Sequence, residues 1–261
     1  MDLRRGHGKR GGSDSDHRQR SNELRGGRGT ARIGAPLMNV QLVKRLGAVT
    51  ILIGLASLLT SCKTAGSQGQ AAWRPIFDGK NTEGWKMTGP GELKLENGEL
   101  VTYGGMGLLW YSREKFGDCQ LRVVFKLAAA DDNSGVFIRI PEPPGDPWYG
   151  VNHGYEVQIE NNGDEWHRTA CLYSLTHAKN NVNARVNEWN TMLITLDGKR
   201  TLVEVNGTPV TDYTEGDPVP PKKVDYEPDR GPRPQFGYIG LQNHGGTAHV
   251  HFREVSVGPL R

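Results

Sequence analysis

Alternation of apolar and polar residues is the main pattern in the chain beyond its N-terminal quarter. Residues 121–127 carry leucine, valine or phenylalanine at every second position, with Val124 as the one apolar exception, and residues 192–196 and 250–257 follow the same pattern. A period of two predicts strands with one buried face and one solvated face. No stretch of twelve or more residues has a helical period. We therefore predict an all-β domain over residues 71–261.

Asn-Gly or Asp-Gly dipeptides separate pairs of predicted strands at residues 97–98, 197–198 and 206–207. These dipeptides tolerate the positive φ that tight hairpins demand, so the strands that they join are predicted to be antiparallel. The number and spacing of the strands favour a two-sheet antiparallel jelly-roll sandwich over a barrel. No repeat of fixed period is present, which argues against a propeller.

Two segments interrupt the alternation. Residues 212–234 are rich in proline and in charged residues, and residues 141–149 place Trp148 and Tyr149 among prolines. Long irregular segments in a compact domain are usually functional or disordered. We predict that both segments are irregular loops.

Residues 1–37 form a compositionally distinct segment. They contain nine Lys or Arg residues, four acids and almost no large apolar residue, which predicts a disordered basic extension. One interpretation is a basic arm for nucleic acid. The other is an extension that results from an upstream start codon, with Met38 as the true beginning.

Residues 38–61 have the pattern of a signal peptide. Two basic residues precede an apolar run over residues 46–59, which is too short for a comfortable membrane span. With Cys62 the segment resembles the bacterial lipobox, and this implies a diacylated Cys62, an anchor in the membrane and a location at the cell envelope, periplasmic or surface-exposed. An ordinary transmembrane or core helix with an incidental cysteine is the alternative. Residues 62–70 are predicted to be a flexible tether.

The charge balance changes when residues 1–61 are set aside, because they carry 11 of the 32 basic groups but only 4 of the 29 acidic ones. The remaining residues carry 21 basic and 25 acidic side chains, a formal net charge of −4. This gives no reason to expect nucleic acid as a partner. Cys119 and Cys171 either form a disulfide or are two small buried apolar residues, and we favour the second interpretation.

Polar residues occupy one face of a predicted strand at residues 155–160, where Glu156, Gln158 and Glu160 alternate with apolar residues. That face is either a solvated outer surface or the floor of a concave sugar-binding sheet, because polyol ligands need several fixed hydrogen-bonding groups on one surface. Arg139 alternates with large apolar residues in a similar strand, and such an arginine is more often exposed than buried.

The eight histidines raise the question of a metal site, and His249 and His251 share one face of a predicted strand. No Cys/His spacing matches a structural zinc site. No nucleophile elbow, phosphate-binding loop or dinucleotide motif is present. We therefore predict neither a metal ion nor another cofactor.

Seven short motifs follow one another along residues 75–257. They are Phe77-Asp78-Gly79-Lys80-Asn81 with Trp85, Asn133-Ser134-Gly135-Val136-Phe137 with Arg139, Gly154-Tyr155-Glu156-Val157-Gln158-Ile159, Glu188-Trp189-Asn190, Val205-Asn206-Gly207, Gly240-Leu241-Gln242 with His244-Gly245, and Phe252-Arg253. Each motif alone is weak evidence for a protein family, whereas seven motifs in the same order are specific evidence. In this order they resemble the bacterial 3-keto-disaccharide hydrolase domain family.

The resemblance implies a concanavalin A-like jelly roll, export as a lipoprotein or periplasmic protein, and hydrolysis of glycosides already oxidised to a ketone at carbon 3. The positions that match the family are candidate site residues: Asn133, Arg139, Glu156, Gln158, Gln242 and His244. We assign Glu156 as the general base and His244 as the acid that protonates the departing oxygen. Arg139 or Asn133 would stabilise the enolate. These roles require Glu156, Arg139 and His244 to share one hollow of the sheet.

Substrate binding is predicted for a second set of residues. Gln158, Gln242 and Trp148 would hold the sugar, and Tyr173 is a further candidate. The alternative function is a non-catalytic carbohydrate-binding module in which Trp148, Tyr149 and Tyr173 stack on a glycan. A structural protein of the envelope, without a ligand of either kind, is the third possibility.

Overall fold

The computed structural model of the chain describes residues 72–260. The predictions for residues 1–37, 38–61 and 62–70, including lipidation of Cys62, lie outside the described residues. Within the described part the chain forms thirteen strands and one short helix, and no helix there is both long enough and apolar enough to cross a membrane. The elements are β1 (Arg74–Phe77), β2 (Trp85–Thr88), β3 (Glu92–Glu96), β4 (Glu99–Tyr103), β5 (Gly107–Tyr111), β6 (Cys119–Leu127), β7 (Asn133–Ile140), α1 (Pro147–His153), β8 (Tyr155–Glu160), β9 (Asn190–Asp197), β10 (Arg200–Val205), β11 (Thr208–Thr214), β12 (Tyr238–Asn243) and β13 (Val250–Gly258).

Two antiparallel sheets contain all of these strands. The larger sheet has the order β11-β10-β9-β6-β13-β4-β3, with β1 paired to β13, and the five-stranded sheet has the order β2-β5-β12-β7-β8. Many neighbouring strands are distant in sequence, as in jelly rolls. The predicted all-β jelly-roll sandwich is therefore confirmed.

The core lies between the two sheets and is filled by every second residue of the strands. Leu121, Val123 and Phe125 of β6 are buried there, together with Val157 and Ile159 of β8. This arrangement explains the period of two in the sequence, because successive side chains of a strand point to opposite faces. Both cysteines in the described part of the chain are buried and free, which confirms that they are small buried residues rather than a disulfide.

The three predicted hairpins are also confirmed. Asn97 and Gly98 join β3 to β4 with φ values of 51° and 84°. Asn206 and Gly207 join β10 to β11 with φ values of 52° and 79°, and Gly198 between β9 and β10 has a φ of 53°. The Asn-Gly and Asp-Gly dipeptides predict these hairpins correctly because tight hairpin turns require this left-handed conformation.

Helix α1 corrects the prediction of an irregular loop over residues 141–149. Asp146 is its N-cap and accepts a hydrogen bond from a backbone N–H of the first turn at 3.1 Å, while Pro147 fixes the backbone of that turn. Val151 packs with Leu108 in a second, smaller apolar cluster on the outer face of the five-stranded sheet. The helix therefore covers part of a sheet face whose remainder stays open.

Candidate active site

Polar side chains gather on the open part of this outer face, where β8, β7 and β12 run side by side. The register places Glu160 of β8 opposite Asn133 of β7, and β12 brings Gln242 to the same side of the sheet. Since the intervening apolar residues of β8 fill the core, Glu156 and Gln158 project outward with Glu160. The three strands thus form a polar floor.

A cavity of about 630 Å³ lies above this floor, within the size range of pockets that hold small ligands. Helix α1 and the segment after β11 contribute to its walls. The structure brings together at this cavity seven of the eight residues predicted to be catalytic or substrate-binding: Asn133, Trp148, Glu156, Gln158, Tyr173, Gln242 and His244.

Glu156 is a buried carboxyl on the cavity floor, with 6% of the residue exposed. Its side chain lies over Gly135, where the Cβ atom of a larger residue would come within 2.5 Å of Glu156 Oε1. Burial raises the pKa of Glu156 to about 8; the charge of Glu160 adds to this effect, and a hydrogen bond with Gln242 opposes it. Once ionised, a carboxyl with this pKa is a stronger base than an ordinary carboxylate and is suited to accept a proton from a weakly acidic group.

Three amide oxygens at the cavity are buried and have no hydrogen-bond partner among the described residues: Asn133 Oδ1, Gln158 Oε1 and Gln242 Oε1. Gln158 is oriented by its amide nitrogen, which donates to Glu160 Oε2 at 3.0 Å. This contact leaves the carbonyl oxygen as a free acceptor. A buried acceptor without a partner costs about 1–3 kcal/mol. A ligand with several O–H donors would remove that cost.

Tyr173 and His244 complete the predicted polar lining. Burial and the nearby charge of Glu156 raise the pKa of Tyr173, so its hydroxyl remains protonated and able to donate a hydrogen bond. The backbone N–H of Tyr173 donates to Glu156 O at 2.9 Å, which fixes it beside β8. His244 follows β12 and is exposed at the cavity.

Arg139 is the predicted site residue that the structure places elsewhere. Its backbone has a φ of 57° at a shift in the register between β7 and β12, and such a bulge redirects the side chain from the face that strict alternation predicts. The guanidinium, which is almost wholly buried, donates to three backbone carbonyls: Gly198 (2.9 Å), Arg200 (3.2 Å) and Pro234 (3.2 Å). Arg139 therefore ties β7 to the hairpin between β9 and β10. The prediction that it shares a hollow with the other catalytic candidates is wrong.

A row of three hydrogen-bonded side chains lies beside the cavity and consists of Asp164, His167 and Ser174. His167 Nδ1 lies 2.6 Å from Asp164 Oδ1, and His167 Nε2 lies 2.7 Å from Ser174 Oγ, the order of groups found in serine hydrolases. Ser174 is only 3% exposed and borders a void of about 10 Å³, which is too small for an acyl group. We interpret the row as support for the cavity wall, where the His167 ring packs on Tyr173 with centroids 5.0 Å apart.

Two residues that line the cavity from the segment after β11 are not predicted by the sequence pattern. Tyr226 and Glu227 line the cavity, and Arg230 fixes this segment by donating to Glu227 Oε2 at 2.8 Å and to the Ser174 carbonyl at 3.3 Å. The proline-rich composition of residues 212–234 is the signal that could have pointed to them. Composition does not indicate which side chains of an irregular segment project into a site.

His251 is part of β13 in the larger sheet, His249 directly precedes that strand, and the two side chains make separate contacts. His251 Nδ1 lies 2.8 Å from Glu99 Oε2, whereas the His249 ring packs edge-on against Tyr103. Within residues 72–260, no three His, Cys, Asp or Glu side chains are grouped so as to hold a metal ion.

Three solved structures with a similar fold come from two bacteria. A candidate glycosyl hydrolase from Parabacteroides distasonis ATCC 8503 is 24% identical to this chain, with a TM-score of 0.58 over 72% of this chain and 100% of that one. A second candidate glycosyl hydrolase from the same organism is 20% identical, with a TM-score of 0.55 over 71% and 93%. A Bacillus subtilis protein of unknown function with a galectin-like fold is 13% identical, with a TM-score of 0.51 over 72% and 94%. At these identities the likeness shows a shared fold.

Sequence comparison adds a family match. The profile of the 3-keto-alpha-glucoside-1,2-lyase-like domain matches residues 72–258, which includes every strand and all the predicted cavity residues. A comparison with curated proteins gives no match.

Proposed function

Because the chain belongs to the 3-keto-alpha-glucoside-1,2-lyase-like domain family, we propose that it cleaves glycosides whose sugar carries a ketone at carbon 3. The observation that carries this proposal is the position of Glu156, a buried carboxyl whose pKa is raised to about 8, on the floor of a polar cavity. A proton next to a ketone is weakly acidic, and the ionised form of such a carboxyl is a stronger base for its removal than an ordinary carboxylate.

The proposed reaction begins at carbon 2, where the adjacent ketone acidifies the hydrogen. Glu156 removes this proton, and the electron pair forms an enolate with the carbonyl at carbon 3. The enolate then forms a double bond between carbons 1 and 2 as the bond from carbon 1 to the glycosidic oxygen breaks. His244 protonates the departing oxygen, which leaves as an alcohol. Addition of water returns a proton to carbon 2 and a hydroxyl to carbon 1, so the net reaction is hydrolysis.

The enolate requires hydrogen-bond donors at the oxygen of carbon 3. We assign this role to the Tyr173 hydroxyl and the Asn133 amide, since Arg139 lies outside the cavity. Each such donor is worth roughly 10²–10³ in rate. The free carbonyl oxygens of Gln158 and Gln242 would accept hydrogen bonds from the other hydroxyls of the sugar.

The direct test is incubation of the purified protein with a 3-keto-glucoside and with its unoxidised parent, followed by chromatography of the released alcohol. We expect release from the ketone-bearing substrate alone and loss of release in the Glu156→Gln variant. Glu254→Gln, which alters a carboxyl on the larger sheet, is the matched control. Undiminished release by Glu156→Gln would remove Glu156 from the mechanism.

The second candidate function is glycan binding without chemistry. It is favoured by Trp148, which is 47% exposed at the cavity and so offers a surface for a sugar ring. A binding module would keep its affinity for the unoxidised glycoside and lose it in Trp148→Ala. Titration calorimetry with the unoxidised parent separates the two functions, because the proposed enzyme requires the ketone.

We also propose that the protein is exported and lipid-anchored through Cys62. The support is the apolar run over residues 46–59 and the lipobox-like sequence that ends at Cys62. Expression in a bacterium supplied with a labelled fatty acid should give a labelled protein in the membrane fraction. Cys62→Ser should abolish the label, and an unlabelled wild-type protein would overturn this proposal.

A further inference from the structure

Two large aromatic side chains are exposed at the same cavity as Glu156. Trp148 is 47% exposed and Tyr226 is 59% exposed, and both line the cavity. Single exposed aromatic residues are common on protein surfaces. These two come from different segments, α1 and the irregular segment after β11, which are 78 residues apart in the sequence. The fold brings them to one site.

The backbone that carries each aromatic residue is held in place. Trp148 is in the first turn of α1, which is capped by Asp146 and packed on the sheet through Val151. Next to Tyr226, the Glu227 carboxylate accepts hydrogen bonds from the Lys223 backbone at 3.0 Å and from the guanidinium of Arg230 at 2.8 Å. A ligand that stacks on these rings would therefore order little additional backbone.

The polarity of the cavity lining differs between its floor and its aromatic side chains. Its floor presents the Glu156 carboxyl and the free amide oxygens of Asn133, Gln158 and Gln242, whereas Trp148 and Tyr226 present large apolar surfaces. A volume of about 630 Å³ is enough for a ligand larger than one sugar ring. The ring that reacts must place carbon 2 at Glu156 on the polar floor, which leaves the aromatic surfaces for the group attached at carbon 1.

We propose that Trp148 and Tyr226 form a binding subsite for the departing group, and that the substrate carries there a group with a flat apolar face. An aromatic ring and the C–H face of a second pyranose both have this property, and both pack well on aromatic side chains. This inference rests on the proposed function and adds the class of leaving group to it.

The test compares three 3-keto-glucosides with the same anomeric configuration, carrying a methyl, a benzyl or a glucosyl leaving group. Methanol and benzyl alcohol have similar acidity, so a preference for benzyl reports binding rather than leaving-group chemistry. We expect kcat/KM to favour benzyl over methyl by about 10-fold or more. This ratio should fall towards one in Trp148→Ala and in Tyr226→Ala, and it should be largely retained in Tyr226→Phe.

Phe236→Ala is the matched control, because Phe236 is 57% exposed but does not line the cavity. Its kinetic constants for all three substrates should equal those of the wild type. The glucosyl substrate shows which kind of leaving group the subsite binds. A kcat/KM higher for the glucosyl than for the benzyl substrate assigns the subsite to a sugar. A higher kcat/KM for the benzyl substrate assigns it to an aromatic ring. Turnover with no preference between methyl and the other two substrates would overturn the subsite while leaving the proposed reaction intact.

Binding measurements on an inactive variant test the subsite independently of the reaction. In the Glu156→Gln background, calorimetric titration with the methyl and benzyl compounds should show about 10-fold tighter binding of benzyl. Tyr226→Ala in that background should abolish the difference. Equal affinities would contradict the subsite, whereas absence of turnover by the wild type with every substrate would contradict only the proposed reaction.

Discussion

Replacement of Glu156 by glutamine is expected to change how the stability of the protein depends on pH. The Glu156 carboxyl has an ordinary pKa of 4.5, and burial raises it to about 8 in the folded protein. Between these two pH values the folded protein holds a proton that the unfolded chain has released. The stabilisation from the buried neutral carboxyl is therefore complete below pH 4.5 and is lost as the pH rises through 8. Glutamine stays neutral throughout.

The size of the effect follows from the same two pKa values. Each pH unit between them changes the free energy of unfolding by about 1.4 kcal/mol when one more proton is bound in the folded state. Across the whole window the wild type should lose about 5 kcal/mol of stability relative to Glu156→Gln. Near pH 4.5 the two proteins should have similar stabilities, because both then carry a neutral group of similar shape.

Urea unfolding of the wild type and of Glu156→Gln at pH 5, 6, 7, 8 and 9 measures this difference directly. Glu160→Gln is the control, since it removes a carboxyl from the same cavity and should keep the downward slope that Glu156 causes. A stability difference between wild type and Glu156→Gln that does not change with pH would show that Glu156 is ionised at neutral pH and that burial does not raise its pKa.

The kcat/KM for a 3-keto-glucoside should rise with pH through about 8, where Glu156 ionises; a flat profile between pH 6 and 9 would exclude it as the base. Gly135→Ala should lower kcat by roughly 10-fold or more, since the new Cβ would displace the Glu156 carboxyl, with circular dichroism as the check on folding. Tyr173→Phe should lower kcat roughly 10²-fold, measured at saturating substrate. Arg139→Met should cost about 3 kcal/mol in urea unfolding because three buried carbonyls lose their donor; a loss below about 1 kcal/mol would contradict its structural role.

The strands and hairpins could be predicted because each depends on a local rule. The period of two in β6 reports burial against the opposite sheet, and the turns at residues 97–98 and 206–207 require residues that accept positive φ. The polar face of β8 could be predicted in the same way, since alternation fixes which side chains share a face. Its place on a cavity floor, rather than on open surface, depended on resemblance to a family.

The errors arose where tertiary structure overrides the local pattern. Alternation from Phe137 predicts Arg139 on the outer face, but the bulge opposite β12 changes the direction of its side chain. Helix α1 has only seven residues, too few for a helical period to stand out. Tyr226 lies in a segment without regular structure, where the path of the chain depends on distant contacts such as that of Arg230 with the Ser174 carbonyl.

The most direct test of the proposed elimination is cleavage of a 3-keto-glucoside in heavy water, with the product analysed by NMR at carbon 2. Abstraction and return of a proton by Glu156 would incorporate deuterium at carbon 2 of the released 3-keto-sugar at the rate of cleavage, beyond any exchange seen when the product is incubated with Glu156→Gln. Cleavage that leaves the original hydrogen at carbon 2, together with an unchanged rate for a substrate deuterated at carbon 2, would contradict elimination and remove the reason for a base at this position.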